Sequence, residues 1–129
     1  MLRARCTALG LDGRVTWRGG VSEAEKLDLF GRCLAVMFPP LDEDYGYVTL
    51  EAMLCAKAVL TTADSGGPLD FVVDDYSGLV VQPTPEALAD ALDRLWADPV
   101  RTQAFGRAGR QRYDDLQLGW SRVIDCLVD

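Results

Sequence analysis

Cys33-Leu34-Ala35-Val36-Met37-Phe38 is an unbroken apolar run ended by Pro39-Pro40, the mark of a strand buried on both faces, as in a parallel sheet. Ala58-Val59-Leu60-Thr61-Thr62 and Leu79-Val80-Val81 have the same character. Between these runs the period changes. Ser22 and Glu25 have capping-box spacing, and Ala24, Leu27 and Phe30 then share one helical face before Gly31. Gly46 to Ala56 carries Tyr47, Leu50, Met53 and Leu54 at helical spacing, and Leu69 to Val73 reads as a short helix. Thr84 with Pro85 caps a helix with Leu88, Leu92, Leu95 and Trp96 on one face, Asp98-Pro99 opens another, and Trp120, Val123, Ile124, Leu127 and Val128 stripe a last one. Upstream, residues 2–9 read as the tail of a helix closed by Gly10, and Arg14-Val15-Thr16-Trp17-Arg18 as a short strand ending at Gly19-Gly20. Buried strands alternating with amphipathic helices predict an α/β fold: a Rossmann-like parallel sheet of about four strands, helices on both faces and a helical C-terminal tail. Ligands of such sheets bind beyond the carboxyl ends of the strands. The loop 39–46 stands at such an end.

Charge narrows the partners. The 129 residues hold 13 Lys+Arg against 20 Asp+Glu with no His, a net charge of −7. No basic run relieves that charge, so neither nucleic acid nor an anionic membrane surface is expected as a partner. Without His there is no Ser-His-Asp or Cys-His catalysis, and the commonest zinc and iron ligand sets are gone, so no metal site is expected. Cys6, Cys33, Cys55 and Cys126 form no Cys-x-x-Cys pair, and Cys33 and Cys55 lie in apolar runs; reduced thiols of a cytoplasmic protein are the expectation. The longest uncharged apolar run, near 33–41, is far short of the ~20 residues of a spanning helix, and no targeting or transmembrane segment is expected. Trp96 and Trp120 are expected in the core, and Arg101, Arg107, Arg110 and Arg112 on a solvated helix face.

One constellation carries chemistry. Asp42, Glu43 and Asp44 stand just before Gly46, and Glu51 lies five residues beyond it, roughly 8 Å along a helix axis. The free amides of Gly46, Tyr47 and Val48 would leave that helix terminus at positive potential, suited to a phosphate or diphosphate, with a carboxylate on either side to accept hydrogen bonds from sugar hydroxyls. A nucleotide sugar has that layout. Acids near a helix start also serve simply to stabilise the helix dipole, and spacing alone leaves both readings open. Ser65-Gly66-Gly67 is open in the same way, either a plain tight turn or a place where backbone meets a ligand.

The stretch Pro39-Pro40-Leu41-Asp42-Glu43-Asp44-Tyr45-Gly46-Tyr47-Val48-Thr49-Leu50-Glu51-Ala52-Met53 resembles the Glu, seven residues, Glu signature of glycosyltransferase family 4, the retaining group 1 enzymes of GT-B fold. Val15 to Gly19, Ala58 to Thr62, Ser65-Gly66-Gly67, Asp75 to Val81, Pro85 to Ala89 and Gly119-Trp120 match strings of that family's C-terminal domain, in the same order. The resemblance implies a donor-binding domain that, within a full enzyme, transfers a hexose from a nucleotide-diphosphate sugar with retention. It places Glu43, as the catalytic residue, beside the donor hexose near the reacting carbon. It sets the amides of Gly46, Tyr47 and Val48 on donor hydroxyls and the β-phosphate, and Glu51 on the ribose hydroxyls. Tyr45, Gly66 and Gly67 complete the donor site. It implies no cofactor and no metal, the departing phosphate taking the acceptor's proton.

The sequence departs from that family in places. Asp44-Tyr45 stand where Gly-Phe is usual, Ala56-Lys57-Ala58 where Gly-x-Pro is common, and Asp70 for a frequent Glu. The family's C-terminal domain begins with two strands bearing an Arg and a Lys that neutralise the diphosphate, and an acceptor domain precedes them; neither is in this sequence. Lys57 and Arg18 are the nearest basic residues to strand ends and are expected to be solvated. Residues 1–129 are therefore expected to form a single, truncated donor domain, inactive by itself, with a homo-oligomer or partner chain completing its sheet. Two rivals stand beside this: a non-catalytic nucleotide-sugar-binding or partner module, and a receiver-like acidic domain, which would need a phosphoacceptor Asp at a central strand end.

Overall fold

The computed structural model describes residues 1–119. The expected last helix, with Trp120, Val123, Ile124, Leu127 and Val128, lies outside the described residues. In chain order the elements are helices α1 (Leu2–Ala8) and α2 (Glu23–Arg32), strand β1 (Ala35–Met37), helix α3 (Tyr47–Leu54), strand β2 (Ala58–Thr62), a 3₁₀ turn (Gly67–Asp70), strand β3 (Gly78–Val81), and helices α4 (Pro85–Ala97) and α5 (Pro99–Leu116). The sheet is parallel, in the order β1-β2-β3, with Ala35 opposite Ala58, Met37 opposite Leu60, Val59 opposite Gly78 and Thr62 opposite Val81.

Alternation along β2 builds the core. All five of its residues are buried. Ala58 and Leu60 pack with Leu79 against Ala91, Leu95 and Phe105 of α4 and α5. Val59 faces the other way, onto Ala52 of α3 and Val72. A third cluster joins Leu50 and Met53 of α3 to Phe71, with Tyr113 and Leu116 of α5 against it. Helices thus cover both faces, as the sequence pattern predicts.

The caps form where the sequence places them. Ser22 and Glu25 make both bonds of the capping box, and Thr84 Oγ1 accepts from the Ala87 amide with Pro85 in the first turn of α4. Thr84→Ala is expected to cost about 1 kcal/mol of stability, readable as a lower urea midpoint at unchanged slope.

Four expectations are corrected. The sheet has three strands rather than four, because Arg14 to Arg18 form no strand. Strand geometry needs a ladder partner for its amides and carbonyls, and this segment reaches none; Trp17 is instead held under the Arg3 guanidinium at 5.6 Å. Leu69 to Val73 does not form a helix of its own; only the 3₁₀ turn around Pro68 precedes Phe71. Trp96 is 77% exposed rather than core. The buried face of α4 is set by Ala91 and Leu95, and Leu92 and Trp96, each one residue further on, turn out of it. Lys57 is not a solvated charge either. Its ammonium donates to the carbonyls of Gly31 (3.1 Å) and Cys33 (2.9 Å), closing the C-terminus of α2.

Arg101, Arg107 and Arg110 of α5 are exposed, as expected, and Arg101, Arg110 and the half-buried Arg112 also act as clips. Arg101 grips Asp75 with bonds of 2.7 and 2.8 Å, and Arg94 joins the same carboxylate at 3.2 Å. Arg112 donates to the carbonyls of Phe71 (2.7 Å) and Asp70 (3.0 Å), and Arg110 to that of Leu54 (2.9 Å). These bonds tie α5 to the loops beneath it.

Candidate functional site

The carboxyl ends of β1 and β2 open onto one another through two loops, 39–46 and 63–67. They are stitched by backbone alone: Asp42 N to Asp64 O and Glu43 N to Ser65 O, both 2.9 Å, and Gly67 N to Glu43 O at 2.6 Å. Glu43 and Gly66 thereby form an isolated parallel bridge. Such close approach requires glycine. Gly66 has φ +79°, and a Cβ there would lie 2.6 Å from the Glu43 carbonyl oxygen; one at Gly67 would lie 2.7 Å from that of Tyr45. The two glycines hold the loop that carries Glu43. This is the tight-turn reading, turned to a purpose that only the packing reveals.

Gly46 turns the chain into α3 with φ +81° and is its N-cap, and a Cβ there would strike Pro68 at 2.8 Å. No side chain caps this terminus. Among the described residues the amides of Gly46, Tyr47 and Val48 have no acceptor, and Thr49 N bonds back to Gly46 O at 3.0 Å. Free donors at the positive end of a helix form an anion-binding surface. Glu43 lies exposed on one side of that terminus, and Glu51, with its side chain 37% exposed, lies further along α3. Tyr45 stacks between Tyr47 (centroids 4.9 Å) and the edge of Phe71 (5.5 Å), which fixes the loop against the α3 cluster. The structure therefore groups Glu43, Tyr45, Gly46, Tyr47, Val48, Gly66 and Gly67 around one helix start. Asp42 and Asp44 are exposed in the same loop. Lys57 lies at the amino end of β2, away from this loop, and is no clamp for a phosphate there.

Two details escape sequence reasoning. Lys26 of α2 pairs with Glu51, its Nζ 3.2 Å from the carboxylate; nothing in the local pattern of either helix signals this. The hydroxyls of Thr49 and Ser65, in the two segments framing the site, are buried without a partner. An unmet buried hydroxyl is costly. Thr49→Val, nearly the same shape, is therefore expected to stabilise the chain by about 1 kcal/mol, seen as a higher melting temperature; a lower one would mean that the hydroxyl is used.

A parallel sheet covered by helices on both faces, with an uncapped helix start beyond its strand ends, defines a Rossmann-like α/β domain. Within that class the assignment is specific. The sequence model of the family described as glycosyl transferases group 1 matches residues 1–112, and the chain belongs to this family. Over 114 residues it is 32% identical to the alpha-1,3/1,6-mannosyltransferase ALG2 of Dictyostelium discoideum, an overlap of 88% of this chain and 27% of that protein. The sucrose-phosphate synthase of Thermosynechococcus elongatus superposes with a TM-score of 0.86 at 29% identity, covering 95% of this chain and 30% of that one. Anabaena HepE, solved in complex with UDP and glucose, superposes with a TM-score of 0.80 at 25% identity, covering 98% and 35%. The chain thus spans about a quarter to a third of these relatives. The resemblance to group 1 glycosyltransferases, and the Rossmann-like GT-B domain it implied, are borne out. No helix among the described residues is long and apolar enough to cross a membrane.

Proposed function

We propose that this chain is the donor-binding part of a glycosyltransferase that moves a hexose from a nucleotide-diphosphate sugar to an acceptor with retention. One observation carries the reading: the uncapped start of α3, with three unpaired amides between Glu43 and Glu51. The amides of Gly46, Tyr47 and Val48 receive the β-phosphate and donor hydroxyls. Glu43, held by the backbone bridge to Gly66, lies beside the hexose near the reacting carbon, where its charge stabilises an oxocarbenium-like centre. Glu51 accepts from the ribose hydroxyls, and Tyr45, Gly66 and Gly67 shape the floor. As the glycosidic bond to phosphate breaks, charge grows on the diphosphate, and preorganised amides oppose it without having to move. The donor is substrate, and neither cofactor nor metal enters the proposal. Support comes from HepE, a structural neighbour that holds UDP and glucose.

The test is ligand-observed NMR of the chain with UDP-, GDP- and ADP-sugars. Saturable binding weakened at least tenfold, about 1.4 kcal/mol, by Glu51→Ala is expected. No binding at millimolar concentration, or binding indifferent to Glu51→Ala, would refute the site.

A second reading, a binding module without turnover, is favoured by the three-stranded sheet. Its edge strand β1 lies beside an open groove of about 390 Å³ lined by Arg14, Leu34, Ala35, Leu92 and Trp96. We propose that a second copy of this chain pairs along that edge, burying Trp96 and completing the sheet. Sedimentation is expected to show dimers that Trp96→Ser weakens; a strict monomer at high concentration refutes the pairing. A reducing cytoplasm is the compartment proposed, in keeping with the half-buried Cys6, Cys33 and Cys55. Burial pushes the Cys33 thiol above its ordinary pKa, so slow alkylation of Cys33 at neutral pH is expected relative to a free thiol.

A further inference from the structure

Glu51 does not face solvent alone. The Lys26 ammonium lies 3.2 Å from both Oε1 and Oε2 of Glu51, and 3.0 Å from Glu23 Oε1. Lys26 is only 30% exposed, and it shares with Leu27, Phe30 and Leu54 a small cleft of about 110 Å³ between α2 and α3 that also takes in Glu51. Equal contact with both oxygens matters chemically. A carboxylate offers about four lone-pair sites, two on each oxygen. A cation touching both oxygens fixes the orientation of the carboxylate in the cleft, while lone pairs remain on each oxygen to accept from hydroxyls. An unpaired glutamate would instead sample several rotamers and lose that freedom on binding. The hydrogen bonds to Glu23 first, and to Glu51 second, hold the Lys26 ammonium above its ordinary pKa, so the charge persists.

We propose that Lys26 is a positioning residue that presets the Glu51 carboxylate to take the 2′,3′-diol of a ribonucleotide, so that the Lys26–Glu51 pair makes this chain selective for ribo- over 2′-deoxyribonucleotides. The proposal rests on the reading of Glu51 as a ribose ligand. Lys26 also ties α2 to α3, a structural role that would affect all ligands alike; sugar selectivity separates the two.

The experiment titrates the chain with UDP and 2′-deoxy-UDP, GDP and 2′-deoxy-GDP, and ADP and 2′-deoxy-ADP, and repeats this for Lys26→Met, Lys26→Arg and Glu51→Gln, with a thermal melt of each. The expected result is a preference of about tenfold for the ribose form. Lys26→Met brings that ratio close to one by weakening the ribonucleotide alone, Lys26→Arg restores most of it, and Glu51→Gln abolishes it. If Lys26→Met keeps the ratio while Glu51→Gln abolishes it, the positioning role is overturned and the ribose role of Glu51 stands. If the unaltered chain shows no preference for ribose, or binds none of the six, the reading of Glu51 fails and this inference with it.

Discussion

Gly78→Ala is expected to prevent the sheet from closing. Gly78 starts β3 opposite Val59, and a methyl group at its Cα would overlap the Val59 carbonyl oxygen and crowd its amide nitrogen. Both obstructing atoms belong to the backbone of the central strand, so no side-chain rotation relieves the clash. β3 must separate from β2, which would strip cover from Leu79 and from the whole cluster of Leu60, Ala91, Leu95 and Phe105. Overpacking against a rigid neighbour costs about 3 kcal/mol or more, a large share of the roughly 5–15 kcal/mol that stabilises a domain. Urea unfolding measures this directly. A midpoint within error of the unaltered chain would show that β2 and β3 are not packed as described.

Gly66→Ala is expected to strike the site and largely spare the core. The residue sits at φ +79°, and its Cβ would lie 2.6 Å from the oxygen and 2.8 Å from the nitrogen of Glu43. Relief requires the 42–45 loop to lift, breaking the bonds from Glu43 N to Ser65 O and from Gly67 N to Glu43 O. A side chain at φ +79°, ψ −122°, a region open in practice only to glycine, costs about 1–3 kcal/mol. The larger effect falls on binding, because Glu43 and the start of α3 lose their common frame: nucleotide-sugar affinity is expected to drop at least tenfold, about 1.4 kcal/mol, while far-UV dichroism keeps its native form. Unchanged affinity would mean that something other than the glycine bridge positions Glu43.

Much of this was legible in one dimension because it is local. The double Pro after Phe38, the Ser22–Glu25 capping box, the Thr84-Pro85 start and the fully buried β2 each depend on residues within a few positions of one another, and they form where the pattern puts them. So does the spacing of Glu43, Gly46 and Glu51, which one loop and one helix carry. The strand expected at Arg14 to Arg18 failed for the opposite reason: a strand exists only through its neighbour, and composition does not say whether one is within reach. Trp96 failed similarly. Its helical face is apolar by pattern, yet its burial depends on what lies across from α4, and the groove beside β1 is open.

The order of residues by itself determined the class of fold and the parallel sense of the sheet, through periodicity and capping, and the helix start of the candidate donor site and the family through resemblance to the group 1 signature. Only the tertiary structure decided that Gly66 and Gly67 hold the Glu43 loop, that Lys57 closes α2 instead of facing a phosphate, and that Lys26 meets Glu51 across 25 positions of sequence. The physical reason is common to all three. Backbone overlap and ion pairing act over a few ångströms and are blind to sequence distance, so they are specified only once β1, β2 and their helices have packed.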